Sequence, residues 1–356
     1  MGTAWAIDES ALLDAARNGD EDAYRRLVEP RRAELHAHCY RMLGSVQDAE
    51  DALQDALLRA WRGLPRFERR SSTRAWLYKI ATNTCLDLIA RRPKRVLPID
   101  YGPPTDPHEG PGTPLVESVW VEPYPDERIG LQAGMAAPEA RYEQRESVEL
   151  AFIAALQHLP ARQRAVLVLR EVLGFSAKET AAALDMTVAS VNSALQRARQ
   201  AVDERLPEAS QQATLRALGD EELSAIVERY MDAWERGDVD ALVALLAEEA
   251  TLTMPPMATW FRGPDVVVFL EEWAFSGRAY NAVGNRRVRV VAAHANGQPA
   301  IGTYSWDPER RRHLPTVLQV LTFTGPRVSE ITGFVDPSVF ARFGLPDALP
   351  AEPPGA

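Results

Sequence analysis

Ten prolines between residues 93 and 143 constrain this chain more than any other feature (Pro93, Pro98, Pro103, Pro104, Pro107, Pro111, Pro114, Pro123, Pro125 and Pro138). Proline lacks the amide hydrogen that a helix turn or an inner strand needs, and its ring clashes with the preceding turn. The stretch predicts a semi-extended linker that divides the 356 residues into blocks on either side. At that length two or three domains are expected. Hydrophobic residues make up 46% and charged residues 25%, an ordinary globular balance. No run approaches the roughly 18 apolar residues of a membrane span. The first ten residues carry Asp8 and Glu9 where a signal peptide has a basic start, so a cytoplasmic location without a membrane partner is expected. Cys39 and Cys85 each fall in an apolar helical pattern, which predicts buried free thiols and no metal site.

The net charge of −10 hides a segregation. From Arg66 to Arg95 there are nine basic residues against Glu68 and Asp87. From Tyr101 to Glu143 there are eight acidic residues against Arg128 and Arg141. A basic block followed by an acidic tether predicts a phosphate-binding surface and a segment kept off it.

Residues 8–92 read as helices throughout. Gly44-Ser45 separates two of them, and in VQDAEDALQDALLRAWR (46–62) Ala49, Ala52, Leu53, Ala56, Leu57 and Ala60 share one face. Asp48, Asp51 and Asp55 fall on another face, which is either a solvated stripe or a docking stripe for a basic partner. RFERRSSTRAWLYKIATNTCLDLIARR (66–92) leads from an Arg/Ser loop into a helix carrying Trp76, Tyr78, Lys79, Asn83 and Asp87. Basic side chains interleaved with aromatics suit single-stranded DNA, the charges following phosphates and the rings stacking on bases; Leu77 and Ile80 read as core.

Beyond the linker, residues 139–206 are helical again. Gly174 breaks the chain, Ser176-Ala177-Lys178-Glu179 has the pattern of a capping box, and a tight turn at Asp185-Met186 leads to Thr187 as a second cap. Val191, Leu195, Ala198 and Val202 point inward on the following helix, and Ser190, Asn192, Ser193, Gln196, Arg197 and Arg199 point outward. Short helix, tight turn and second helix is the helix-turn-helix arrangement, whose second helix enters the major groove. Asn and Gln are suited to adenine edges and Arg to guanine or phosphate.

Together YRMLGSVQDAEDALQDALLRAWR (40–62), RAWLYKIATNTCLDLIARR (74–92) and LPARQRAVLVLREVLGFSAKETAAALDMTVASVNSALQRARQAV (159–202) resemble the extracytoplasmic-function sigma factors of bacterial RNA polymerase. The resemblance implies that Asp48, Asp51 and Asp55 dock on the beta-prime clamp helices of core polymerase. It implies that Arg66, Arg74, Trp76, Lys79, Asn83 and Asp87 capture and read the minus-ten element, with no cofactor. The outward residues from Ser190 to Arg199 would read the minus-thirty-five element of promoter DNA. Asn192 and Ala194 stand where many members carry Arg or Lys, which should weaken phosphate contact. The acidic linker, with Glu117, Glu122, Asp126 and Glu127, would mimic nucleic acid in the polymerase cleft.

Pro207 to Gln212 read as a short polar joint. Residues 218–345 then mix helices (from Asp220 to Gly237, Val239 to Leu246, and one in Trp260–Trp273) with strand-like runs at 250–254, 287–293, 300–306, 316–324 and 327–334. YMDAWERGDVDALVALLAEEATLTMPP and WFRGPDVVVFL resemble the SnoaL-like cone, which implies an apolar cavity and a small ligand. Trp234, Met254, Met257, Trp260, Tyr304, Trp306, His313 and Asp336 are the candidate liners. His313 follows three arginines and is expected to be exposed, and Asp336 before Pro337 reads as a cap, so catalysis by that pair is not expected.

The expected fold is therefore multidomain. Two all-α sigma domains, an N-terminal helical one (8–95) and a helix-turn-helix one (139–206), flank a linker (96–138) and precede an α+β SnoaL-like cone (218–345). The expected function is promoter recognition and minus-ten opening with RNA polymerase, modulated by the cone. The alternatives are a helix-turn-helix regulator with a ligand-sensing domain and a SnoaL-like enzyme fused to a DNA-binding module.

Overall fold

The computed structural model describes residues 9–69, 71–115, 120–128, 144–207, 209–276 and 288–350. The chain forms two compact units, one of Met1–Lys94, Glu127–Ala136 and Ala155–Arg205, the other of Arg95–Asp126, Ala137–Ala154 and Leu206–Ala356.

The first unit is helical. It holds α1 (Glu9–Arg17), α2 (Glu21–Val28), α3 (Arg32–Leu43), α4 (Val46–Gly63) and α5 (Thr73–Ile89). It then takes the end of α6 (Leu150–His158), with α7 (Ala161–Leu167), α8 (Ala177–Leu184) and α9 (Val188–Asp203). The boundaries follow local chemistry. Gly44 takes a left-handed conformation (φ +69°) that ends α3, and the Ser45 hydroxyl accepts from the Asp48 amide at 3.1 Å to open α4. Ser72 caps α5 through the Ala75 amide. Ala49, Ala52, Leu53, Ala56 and Ala60 are all buried, as the helical spacing requires. One buried cation joins the helices before and after the proline-rich stretch. Arg164 donates to the Met42 carbonyl near the end of α3 and to Gln157, and Gln157 donates to the Arg41 carbonyl at 3.3 Å. Burial lowers the Arg164 pKa to about 10; a buried charge is tolerable only with its hydrogen bonds made.

The second unit opens with α10 (Gln211–Leu218), α11 (Asp220–Arg236) and α12 (Val239–Leu245), followed by β1 (Leu246–Thr253), β2 (Trp260–Arg262) and α13 (Pro264–Phe269). Strands β3 (Val288–Ala295), β4 (Gln298–Asp307), β5 (Arg312–Thr324), β6 (Arg327–Phe334) and β7 (Leu349–Pro350) complete it. The sheet order is β2-β1-β6-β5-β4-β3, with β7 on β5. Only β1 and β6 run parallel among the described pairs. Ile226, Tyr230, Phe261, Phe269 and Phe323 pack between the helices and one face of this sheet.

Three expectations are corrected here. The presumed joint 207–212 opens α10, because the Ser210 hydroxyl caps it through the Ala213 amide. Trp260–Arg262, at the head of the stretch Trp260–Trp273 read for a helix, pairs as a strand with β1, and the helix starts only at Pro264. The linker is not a free tether where it is described. Trp120, Val121 and Tyr124 are buried, and Tyr124 and Asn296 exchange hydrogen bonds at 2.8 Å across the β3–β4 turn. Val148 and Leu150, read as part of the helix-turn-helix domain, bond to Asn296 and Gln298 of that same turn. The proline count concealed this because the bonds use the amides between the prolines: Thr105 to the Trp260 carbonyl (2.9 Å), Leu115 to the Pro256 carbonyl (3.0 Å) and Val121 to the Val96 carbonyl (3.1 Å).

Candidate nucleic-acid interface

Helix α9 presents the two faces expected of a recognition helix. Val191, Leu195, Ala198 and Val202 are buried, while Ser190, Asn192, Ser193, Gln196, Arg197 and Arg199 are all exposed. The Thr187 hydroxyl accepts from the Ser190 amide at 3.1 Å and starts the helix. Ser176 and Glu179 complete the capping box of α8. Asn192, Gln196 and Arg199 border an open groove of about 770 Å³ with Arg170 and Gln200. Arg170 and Gln200 were missed by the sequence reading, since they lie outside the turn-proximal run that marks a recognition helix. Arg199 is paired with Glu171 at 2.7 Å. Ala194 is buried, so of the two departures from the common basic pattern only Asn192 faces outward.

The α5 region places its residues unevenly. Arg66 is exposed in the turn before the helix. Trp76 is half-buried, its ring 4.7 Å from that of Phe67. Arg74 stacks between aromatic rings, 5.1 Å from the Tyr78 centroid and 4.6 Å from the Phe175 centroid, and donates to the Leu173 carbonyl at 3.1 Å. Lys79 donates to the Ala182 carbonyl (2.8 Å) and to Asp185 (3.2 Å). Both basic side chains are thus engaged by the helix-turn-helix of the same unit. Asn83 is half-buried and Asp87 exposed.

The acidic stripe on α4 is shorter than its spacing implied. Asp48 is buried and ion-paired with Arg92, so it is a structural counter-charge in the first turn of α4, where the helix dipole favours an anion. Asp51 and Asp55 remain exposed. Leu58, 54% exposed, sits one turn beyond Asp55. It borders an open groove of about 530 Å³ with Tyr24, Val28, Gln54, Leu57 and Trp61. The Leu57-Leu58 pair carried the signal, because the apolar face had room for only one of the two.

The candidate pocket residues do not converge. Trp234, Met254 and Met257 belong to the packed core of the second unit. Trp260 donates its indole hydrogen to the Gly102 carbonyl at 2.8 Å. Tyr304 packs instead on Phe340 (5.2 Å) and donates to the Pro346 carbonyl. Trp306 is half-buried and meets the His313 ring edge-on at 5.1 Å. His313 is buried, against expectation. Its strand β5 begins at Arg312, earlier than the Thr316 start read from the pattern, which draws it into the sheet. Asp336 is exposed and accepts from the Ser338 amide at 2.9 Å, as a cap does. The polar groups inside the cone are others: Tyr230 donates to Gln319 (2.7 Å) and Gln319 to Thr303 (3.0 Å). Among the described residues no cluster of three His, Cys, Asp or Glu suits a metal, and no helix is long and apolar enough to cross a membrane.

Comparison with known proteins agrees with this division. The chain matches the Sigma-70 region 2 family over residues 27–95, Sigma-70 region 4 over 149–202, and the SnoaL-like domain family over 227–331. It is 42% identical over 350 residues to the ECF RNA polymerase sigma factor SigG of Mycobacterium tuberculosis, covering 96% of this chain and 90% of that protein. It is 28% identical over 200 residues to the ECF sigma-E factor of Escherichia coli, covering 56% of this chain and 95% of that one. The crystal structure of the M. tuberculosis extracytoplasmic-function sigma factor SigJ shares the fold. Its TM-score is 0.55 at 22% identity, over 89% of this chain and 97% of that one. With helical sigma regions 2 and 4 followed by a SnoaL-like domain, the chain belongs to the extracytoplasmic-function sigma factors and acts in transcription initiation with RNA polymerase and promoter DNA.

Proposed function

We propose that α9 reads the minus-thirty-five element through Ser190, Asn192, Ser193, Gln196, Arg197 and Arg199, and that the α5 region captures the minus-ten element. Arg66, Arg74, Trp76, Lys79, Asn83 and Asp87 form the minus-ten set. Asp51, Asp55 and Leu58 dock α4 on the clamp helices of the polymerase beta-prime subunit, an acidic face with one apolar contact suited to a basic partner. One observation carries this reading. A single helical unit holds both an exposed polar recognition face on α9 and, on α4 and α5, an exposed acidic face beside a basic–aromatic one. A helix-turn-helix regulator needs only the first. Arg74 and Lys79 are held by Leu173, Phe175, Ala182 and Asp185, so minus-ten capture exchanges these contacts for phosphates and bases. The cone modulates that exchange through the linker segment it binds, without catalysis, and its divergent liners do not favour a small ligand.

The test is run-off transcription with purified core polymerase and the full chain. Gln196→Ala and Asn192→Ala are each expected to weaken promoter use by about 1–3 kcal/mol at one base pair of the upstream element. They should leave polymerase binding unchanged. Uniform loss across all promoter variants would sink the α9 assignment.

A further inference from the structure

Arg59 lies on α4 between the two faces just assigned, and its guanidinium bridges them. One terminal nitrogen holds Asp55 at 2.9 Å on the same helix. The other holds Asp87 at 2.8 Å on α5. Asp55 belongs to the proposed polymerase face and Asp87 to the proposed minus-ten reader. Arg59 itself was assigned no role.

The charge arrangement has a consequence. A carboxylate reads a base by accepting from the amino group of cytosine or adenine, yet single-stranded DNA brings a row of phosphates close to it. An unpaired Asp87 would be repelled by those phosphates and free to rotate. The planar guanidinium fork is split between the two carboxylates, one nitrogen donating to a single Asp87 oxygen and the other holding Asp55, so the Asp87 charge is partly neutralised and that oxygen is tied to α4. Asp55 matters through the same fork. A basic side chain from polymerase that takes Asp55 leaves the guanidinium to Asp87 alone.

We propose that Arg59 is a positioning residue for minus-ten specificity, orienting Asp87 and linking its charge to occupancy of Asp55. The proposal rests on the assignment of Asp87 as a base reader. Arg59 touches no base in this scheme; it acts through Asp87.

The experiment uses the full-length factor, core polymerase and a promoter set in which each minus-ten position is changed to the other three bases. Run-off yields give a base-preference profile for the parent and for Arg59→Ala, Arg59→Lys, Asp55→Asn and Asp87→Asn. Core affinity is measured separately by competition. Arg59→Ala and Asp87→Asn are expected to flatten preference at the same one position by about tenfold, the effect of losing one good base contact. Arg59→Lys, a point charge without the fork, recovers part of that preference. Asp55→Asn shifts it by less, in assays with polymerase. Arg59→Ala keeps core affinity within about twofold, the scale of an exposed ion pair. An unchanged profile for Arg59→Ala beside a flattened one for Asp87→Asn overturns the role of Arg59 and leaves Asp87 as reader. If neither variant changes the profile, both assignments fall. A uniform loss at all positions with a tenfold drop in core affinity makes Arg59 a docking or folding residue and also overturns the proposal.

Discussion

Glu149 shows how much one carboxylate decides at the residue scale. It is buried and accepts the amides of Gln211 (3.1 Å) and Gln212 (2.7 Å) at the start of α10. Burial raises its pKa from 4.5 to about 7, the two amides opposing and Glu146 adding to the rise. A raised carboxyl pKa means that the folded unit binds this proton more tightly than the unfolded chain does. Its contribution is therefore whole below about pH 4.5 and is lost as the pH rises through 7. Glu149→Gln, neutral at every pH, should melt later than the parent at alkaline pH, on the order of 1–3 kcal/mol. The gap should close at mildly acidic pH. Thermal melts of the full chain at the two pH values decide it, and an earlier melt of the variant at alkaline pH would show that the amide bonds outweigh desolvation. No sequence pattern announces this residue, since its partners at the start of α10 lie 62 and 63 residues away in sequence.

At the scale of elements, α9 was legible almost residue by residue. Its caps, inward apolar set and outward polar set follow from local spacing, and local spacing is what a helix obeys. Helix α4 was legible except at Asp48, where the partner Arg92 comes from beyond α5. What α5 meets was not legible. Its basic side chains were read as open to DNA, whereas Lys79 reaches the turn between α8 and α9, more than a hundred residues away. Asp185 sits there with φ +51°, a conformation that Asn tolerates well. Asp185→Asn should therefore loosen the hold on Lys79 without straining the turn. Binding of the full chain to a single-stranded minus-ten oligonucleotide is expected to tighten about twofold to fivefold, the range of an exposed ion pair. The gain should shrink as salt is raised. Anisotropy titrations at low and high salt measure it, and unchanged affinity would show that the contact does not compete with DNA.

For the whole molecule, the decisive feature is that the second unit gathers stretches read as separate. The linker end at Tyr124 and Asp126, the lead-in at Val148 and Leu150, and the start of α10 all bond to the β3–β4 turn or the strands beside it. A truncation ending at residue 210 removes those partners. Trp120, Val121 and Tyr124 are then expected to lose their burial, and limited proteolysis should cut near residues 120–128 much faster than in the full chain. Equal cleavage rates would mean that the linker holds this path without the cone. The sequence by itself showed the order of helical and α+β regions and the caps at Ser176 and Thr187, because periodicity and capping act over a few residues; the sigma-factor family was legible through the resemblance of its motif blocks. The tertiary structure alone decided that the described linker segments are bound, that Asp48 is internal, that the pocket candidates diverge and that Arg59 joins two faces. Those depend on side chains meeting across long sequence separations, where burial and charge are set by the partner and not by the neighbours in the chain.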